Sequence, residues 1–191
     1  MRPLERQGFW SVDLADVNAA DSLVILRDYL VDVADRWFLL KEGRRSTAEE
    51  IEEAWAAMPC GDLAAPTGAF VVARDAAGRL GGCVGVRLVD PGPTAEREGP
   101  VCELKRMFVR PEARGSGLAT RLLAAAEDAA RALGARTIRL DTRLDLVEAR
   151  SLYARHGYAE VPCFTVDDPY AEVWYAKSLV AGAAVPRPER A

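Results

Sequence analysis

Hydrophobic and polar residues follow two periods along the chain, and the changes of period divide its first half into a strand and two helices. An alternating stretch predicts a strand over residues 9–14. Apolar residues then recur at helical spacing from Leu23 to Trp37, which predicts a long helix. Ser46 and Glu49 have the spacing of a capping box. We therefore expect a second helix to begin there and to run through Trp55.

The middle of the chain predicts a hairpin, a third strand and an amphipathic helix. Two apolar strands are expected over 69–73 and 82–89, joined by a turn at 75–78. After a loop rich in proline and glycine, a further strand is expected over 101–109. Leu118 begins an apolar stripe at helical period that ends before Gly134, in the position of a helix C-terminal glycine.

The last third predicts a strand, a helix and two closing strands. These elements are expected over 137–140, 145–155, 158–164 and 171–179, with Gly157 ending the helix. The complete order is β-α-α-β-β-β-α-β-α-β-β, which predicts an α/β class with right-handed crossovers near the middle. We interpret residues 1–180 as one domain and residues 181–191 as a flexible tail.

Composition and charge narrow the function classes. The chain has 191 residues, 50% of them hydrophobic, which suits one domain with a full core. A net charge of −4 gives no electrostatic footprint for nucleic acid or an anionic membrane. The four cysteines and one histidine lack zinc-ligand spacing, so no metal is expected. Without a signal peptide or a membrane-length apolar run, a cytoplasmic location is the expectation.

The strongest chemical signal is the turn between the 101–109 strand and the helix that begins at Leu118. A helix N-terminus presents free N–H groups and a partial positive charge, which together suit an anion. Gly115 and Gly117 permit unusual backbone angles and the close approach of a ligand. Arg114 adds a positive charge, and Ser116 adds a hydroxyl donor. Two glycines before a helix are weak evidence by themselves, since many turns have them.

The longer stretch that contains this turn, residues 104–119, resembles motif A of the GCN5-related N-acetyltransferase (GNAT) superfamily. That signature is (Arg/Gln)-x-x-Gly-x-(Gly/Ala), and Arg114, Gly117 and Ala119 fill it. A second segment resembles the family's motif B, Ala-x-x-Leu-Tyr-x-x-x-Gly-(Phe/Tyr). It is filled by Ala149, Leu152, Tyr153, Gly157 and Tyr158. One departure is Leu146, which stands where many members have a cofactor-contacting asparagine.

The resemblance implies a fold and a cofactor. The fold would be a mixed sheet of six to seven strands flanked by about four helices, with a splayed V between central parallel strands. The cofactor would be acetyl-CoA, with backbone groups of Met107, Phe108 and Val109 pairing with pantetheine like an added strand. The amides that would hold its diphosphate are those of Arg114, Gly115, Ser116, Gly117, Leu118 and Ala119.

The resemblance also implies catalytic groups. Family members often use the tyrosine of motif B to protonate the CoA sulfur, which here is Tyr153; the alternative is a packed aromatic residue. Several members place a glutamate at the position of Glu103, which could act as the base directly or through water. The alternative for Glu103 is a strand residue paired with Lys105 or Arg139. The backbone N–H of Phe108 or Val109 would stabilise the oxyanion, and the sequence does not choose between them.

The acceptor pocket is less well defined. The family forms it from the first two helices and the loop between the last two strands. In that loop Asp167, Asp168 and Tyr170 are candidate substrate-binding residues, since carboxylates attract a cationic amine. The same Asp-Asp-Pro sequence is also a common way to open a turn. Trp37, Phe38 and Trp55 could line the pocket from the helices, although aromatic residues at such spacing usually belong to the core.

The functional prediction is an acetyl-CoA-dependent N-acetyltransferase (acyltransferase, EC 2.3.1 class). The acceptor is expected to be the primary amine of a small molecule, which attacks directly without a covalent enzyme intermediate. One alternative is a protein lysine or N-terminal acetyltransferase, and another is a non-enzymatic acyl-CoA sensor. The predicted partners exclude nucleic acid and membranes, and the resemblance leaves a homodimer open because many relatives dimerise.

Overall fold

A computed structural model describes residues 9–90, 99–165, 168–180 and 182. A seven-stranded mixed sheet carries helices on both faces. The strands are β1 (Ser11–Ala15), β2 (Gly68–Arg74), β3 (Leu80–Val89), β4 (Val101–Val109), β5 (Thr137–Thr142), β6 (Ala159–Val161) and β7 (Val173–Ser178). The helices are α1 (Ala20–Glu42), α2 (Ala48–Ala56), α3 (Leu118–Ala132) and α4 (Val147–Arg155), with single 3₁₀ turns at Gly61–Leu63 and Pro111–Ala113.

The sheet has the order β1-β2-β3-β4-β5-β7-β6. Only β4 and β5 pair in parallel, and α3 makes the crossover between them. All other neighbouring strands are antiparallel. The predicted fold class and order of elements are therefore confirmed, including the splayed parallel pair.

The two faces of the sheet have separate hydrophobic cores. On one face, β3 and β4 pack through Val84 and Cys102 against α3 and α4. On the other face, Phe70 and Phe108 pack against Ile25 and neighbouring residues of α1. Side-chain alternation along the strands produces this division. Cys102 is fully buried in the first core, as its alternation with Glu103 predicts.

The N-terminal cap of α2 lies one residue later than the sequence pattern predicts. Thr47 Oγ1 accepts a hydrogen bond from the Glu50 amide, and the Glu50 side chain accepts one from the Thr47 amide. The capping box is thus Thr47 and Glu50, and the assignment to Ser46 and Glu49 is wrong. Ser46 is engaged elsewhere, because its hydroxyl donates to Asp35 at 2.6 Å.

Other boundaries differ at strand ends, where pairing partners decide the length. β6 has only three residues because β7 pairs with it only at Ala159–Val161. β5 runs on to Thr142 because β7 pairs with it over that whole length. The predicted tail, residues 181–191, lies outside the described residues except for residue 182. Within the described ranges, no helix is both long and apolar enough to span a membrane, and no cluster of metal-ligating side chains occurs.

Candidate active site

A gap opens in the middle of the sheet where β4 and β5 separate. Their parallel pairing joins Val101 to Thr137 and ends at Glu103 and Arg139, although β4 continues to Val109. Beyond that point the strands are connected by a side-chain contact, in which Lys105 Nζ lies 2.6 Å from Asp141 Oδ1. The β4 edge along this gap is therefore free to pair with a ligand that lies in it.

A bulge in β4 sets which backbone groups face the gap. The register between β3 and β4 shifts by one residue at Arg106, which has a left-handed φ of 58°. Past the bulge, the Arg110 N–H donates to the Gly81 carbonyl of β3 at 2.9 Å. Since successive N–H groups of a strand point to opposite sides, the Val109 N–H points away from β3 and toward the gap. Of the two predicted oxyanion donors, this geometry favours Val109 over Phe108.

The end of the gap is occupied by the start of α3. Gly115 and Gly117 have φ values of 76° and 79°, which only glycine adopts without strain. The backbone N–H groups of residues 115–120 donate no hydrogen bond within the part of the chain that the structure describes. A glycine turn, free amides and a helix N-terminus are the features that suit an anion, and the binding of a diphosphate there stays a prediction.

Side chains at this turn hold its shape. Arg114 Nε donates to the Val109 carbonyl at 3.0 Å, and its terminal nitrogen lies 2.9 Å from Asp32 of α1. The Ser116 hydroxyl donates to the Ala113 carbonyl at 2.7 Å. The predicted binding side chains are thus also structural, because they link β4, α1 and the start of α3.

Tyr153 lies on α4 in the core that faces the gap. Its side chain is buried, and its ring lies 5.6 Å from that of Tyr158 and 6.1 Å from that of Tyr175. Burial raises the pKa of the Tyr153 phenol above its usual value, and Tyr29 and Asp141 raise it further. The phenol therefore keeps its proton at neutral pH and makes no hydrogen bond within the described ranges. A neutral buried phenol of this kind can supply a proton to a thiolate.

Glu103 is buried at the last pair before the gap, with 3% of its surface exposed. Its main partner is Arg87 of β3, whose Nη2 lies 2.6 Å and Nε 3.0 Å from Glu103 Oε2. Lys105 Nζ lies 3.6 Å from the other oxygen. These contacts hold the carboxylate in a fixed position beside the gap. The sequence names Lys105 and Arg139 as partners but misses Arg87.

A polar cavity of about 180 Å³ lies beside Lys105 on the α1 face of the sheet. Its walls come from the segment after α2, from β3 and β4, and from the loop before β7. They are formed by Pro59, Asp62, Leu63, Arg87, Lys105, Arg106 and Asp168. At roughly 30 Å³ per molecule in liquid water, this volume corresponds to about six waters. The space therefore suits a small polar molecule.

The predicted acceptor residues are only partly brought together. Asp168 lines the cavity, and its carboxylate accepts a hydrogen bond from the Tyr170 amide at 2.9 Å. Tyr170 is exposed and packs edge-on against Trp37 of α1 at 5.9 Å. Asp167 lies outside the described residues. Trp55 is half-buried and packs under Arg27 at 5.5 Å, so it does not line this cavity.

Comparison with known proteins agrees with this geometry. The sequence profile of the acetyltransferase (GNAT) family matches residues 28–158. The chain belongs to the GNAT family. This membership confirms the predicted family and, at the level of the family, the predicted acetyl-CoA-dependent N-acetyltransferase class. The match includes both the glycine turn before α3 and Tyr153.

Individual GNAT relatives share parts of the chain. A protein from Azospirillum brasilense named IAA acetyltransferase is 38% identical over 98 residues, which are 51% of this chain and 59% of that protein. The chain thus spans about half the length of the curated relatives it matches. A GNAT acetyltransferase structure from Staphylococcus aureus has a TM-score of 0.60 at 15% sequence identity. The superposition covers 89% of this chain and 100% of the Staphylococcus aureus chain.

A further solved GNAT structure contains ligands. Spermidine N-acetyltransferase from Vibrio cholerae, in complex with CoA and spermine, has a TM-score of 0.56 at 19% identity. The superposition covers 89% of this chain and 95% of that one. At such identities the likeness shows the shared GNAT fold.

Three charged residues of the cavity were not found by sequence reasoning, namely Asp62, Arg87 and Arg106. Their contacts join segments that are distant along the chain. A signal for Arg106 does exist, because Lys105 and Arg106 are consecutive cations in an otherwise alternating strand. Such a break in alternation is typical of a β-bulge.

Proposed function

We propose that this GNAT protein transfers the acetyl group of acetyl-CoA to the primary amine of a small molecule. The observation that carries the proposal is the gap between β4 and β5: the free amides at the start of α3 follow the end of β4, and Lys105, which contacts Asp141 across the gap, also lines the polar cavity. The diphosphate would lie on the amides of residues 114–119, and pantetheine would lie along the free edge of β4. When bound, acetyl-CoA supplies the activated acyl group.

The residues along the gap have distinct parts in the proposed reaction. The amine nitrogen forms a bond to the acetyl carbon, and the carbon–sulfur bond breaks. Val109 N–H donates to the carbonyl oxygen as it gains negative charge. The Glu103 carboxylate accepts the proton that the ammonium loses, directly or through water. Tyr153 donates its proton to the departing thiolate, and the second proton that the nitrogen loses as the amide forms restores the phenol.

The size of the cavity supports a small acceptor. A protein lysine acetyltransferase needs an open groove for an extended peptide. The cavity beside Lys105 is partly open to solvent, and its volume of about 180 Å³ matches a small polar acceptor. A sensor without activity would not require a buried carboxylate and a buried phenol beside the same gap. The small-molecule reaction therefore accounts for more of the geometry than either alternative.

The test is a steady-state assay of thiol release from acetyl-CoA with a broad panel of small amines. We expect release well above acetyl-CoA hydrolysis with at least one amine. Direct attack predicts intersecting double-reciprocal lines when both substrates are varied, whereas a covalent acyl-enzyme predicts parallel lines. Absence of thiol release across the panel, with acetyl-CoA bound, would contradict the proposal.

A further inference from the structure

The bulge of β4 turns two consecutive cations toward the same face of the sheet. Regular alternation would send Lys105 and Arg106 to opposite faces. Instead both line the cavity, and the Arg106 guanidinium lies 5.9 Å from the ring of Tyr29 on α1. A non-glycine residue at a φ of 58° is strained, and strain of this kind clusters at binding and catalytic sites. The position of the Arg106 side chain thus has an energetic cost that the fold alone does not explain.

Arg106 differs from the other cations of the cavity in lacking a carboxylate partner. Arg87 contacts both Asp62 and Glu103. Lys105 contacts Asp141 and Glu103. Arg106 forms no ion pair in the part of the chain that the structure describes. Its guanidinium interacts with the neutral side chains of Tyr29 and Cys60, and its Nε is buried without a hydrogen-bond partner. A buried guanidinium nitrogen without an acceptor is costly, so an anionic ligand would remove that cost.

A carboxylate without a cationic partner, that of Asp168, lies in the wall of the same cavity. Asp168 accepts a hydrogen bond from the Tyr170 amide, and within the described ranges it has no cation within 4.0 Å. Arg106 and Asp168 therefore face one small space without contacting each other as an ion pair. A ligand that carries both an ammonium and a carboxylate would satisfy both residues.

From this arrangement, and resting on the proposed function, we propose that the acetyl acceptor is an amino acid or a similar amino carboxylate. Arg106 binds its carboxylate, and Asp168 attracts its amino end. A guanidinium presents two parallel N–H groups that match a carboxylate, which gives direction as well as affinity. A polyamine or a simple alkylamine would leave Arg106 unpartnered and would add a second cation beside Lys105.

The experiment compares matched acceptors. The thiol-release assay is run with amino acids, with their carboxamides and with the amines that lack the carboxylate carbon, all with saturating acetyl-CoA. We expect kcat/KM for the best amino acid to exceed that for its carboxamide and its simple amine by about 10- to 100-fold, as loss of a charged hydrogen bond implies. Equal rates, or a preference for the carboxylate-free amines, would overturn the inference and leave the proposed function intact.

Variants of Arg106 test whether this residue causes the preference for acceptors that carry a carboxylate. Arg106→Gln should remove the preference for the carboxylate, chiefly through KM, and Arg106→Lys should restore part of it. The control is Arg131→Gln, an exposed arginine at the end of α3, which should keep the full preference. CoA affinity, measured by calorimetry, should be unchanged in all three variants, which shows that each is folded. A preference that survives in Arg106→Gln would assign the carboxylate site elsewhere.

If neither acceptor series releases thiol, the proposed function fails and this inference fails with it. If only carboxylate-free amines release thiol, the inference alone fails. The two failures are therefore distinguishable in one set of assays.

Discussion

The proposed cofactor end of the gap and the proposed acceptor cavity are built in different ways. The proposed cofactor end consists of main-chain amides between Arg114 and Ala119, on one short segment of the chain. The acceptor cavity consists of side chains from four separate segments, including Asp62, Arg106 and Asp168. The comparison shows why GNAT proteins can share a donor and yet differ in acceptor: substitutions in the cavity leave the amides in place.

The largest expected effect concerns Tyr153, the buried phenol proposed as the proton donor. Tyr153→Phe keeps the buried ring and removes the hydroxyl, so we expect kcat to fall by about 100-fold or more while CoA affinity is unchanged. The measurement is steady-state kinetics with the best amine. The matched control is Tyr158→Phe, because that neighbouring hydroxyl is also buried and has no hydrogen-bond partner. Equal losses in the two variants would argue against a proton-donor role.

The pH profile gives a second view of the same residue. Because burial raises the pKa of Tyr153, its phenol should stay protonated up to pH 10. We therefore expect that, between pH 7 and 10, kcat of the wild-type protein shows no decline that is absent from the profile of Tyr153→Phe. An alkaline decline specific to the wild-type protein would mean that the phenol ionises in this range.

The cofactor end can be disrupted through a single glycine. Gly117→Val places a β-branched residue at a φ of 79°, and its Cβ would meet no protein atom within 4 Å. The strain should move the amides, so the CoA Kd measured by calorimetry should rise about 30-fold, or ~2 kcal/mol. Gly78→Val is the control, since Gly78 has a φ of 81° and similar open space in the β2–β3 turn. It should lower the melting temperature and leave the Kd unchanged.

Glu103 can be separated from its structural role by a paired comparison. Glu103→Gln and Asp62→Asn each remove one carboxylate from Arg87. If Glu103 accepts the proton of the amine, only Glu103→Gln should lower kcat, by about tenfold at neutral pH. The defect should shrink as pH rises, because more of the amine is then already neutral. Identical pH profiles in both variants would reduce Glu103 to a partner of Arg87.

The smallest expected effect tests whether α2 can be destabilised without a change in the affinity for CoA. Thr47→Ala removes the N-terminal cap of α2, which should cost about 1 kcal/mol of stability. For a chain of this size the melting temperature should fall by roughly 2–4 °C. CoA affinity should not change, and a rise in the CoA Kd would mean that the two regions are coupled.

The sequence predicts the parts of the molecule that depend on local order. The φ values at Gly115 and Gly117 and the start of α3 follow from a few adjacent residues, as does the β4 strand. The cap at Thr47 was misplaced by one residue because Ser46 has an equally suitable side chain, and the contact with Asp35 that engages it is eleven residues away. That contact exists only in the folded chain.

The acceptor cavity was harder to predict for the same reason. Arg87 meets Glu103 only through the β3–β4 register, and Asp168 reaches the cavity from the loop between β6 and β7. The bulge that redirects Arg106 depends on how two strands pair, which neither strand encodes alone. Side-chain constellations that join distant segments therefore need the structure, whereas a main-chain anion site can be found from its motif.

The most direct test of the account is an NMR titration of the amide-labelled protein with CoA and, separately, with pantetheine, which lacks the diphosphate. We predict that CoA shifts the amide resonances of Gly115, Gly117 and Ala119 strongly, and that pantetheine leaves them unchanged while shifting those of β4. Binding of CoA without any change at these three amides, or no binding at all, would contradict the assignment of the donor site.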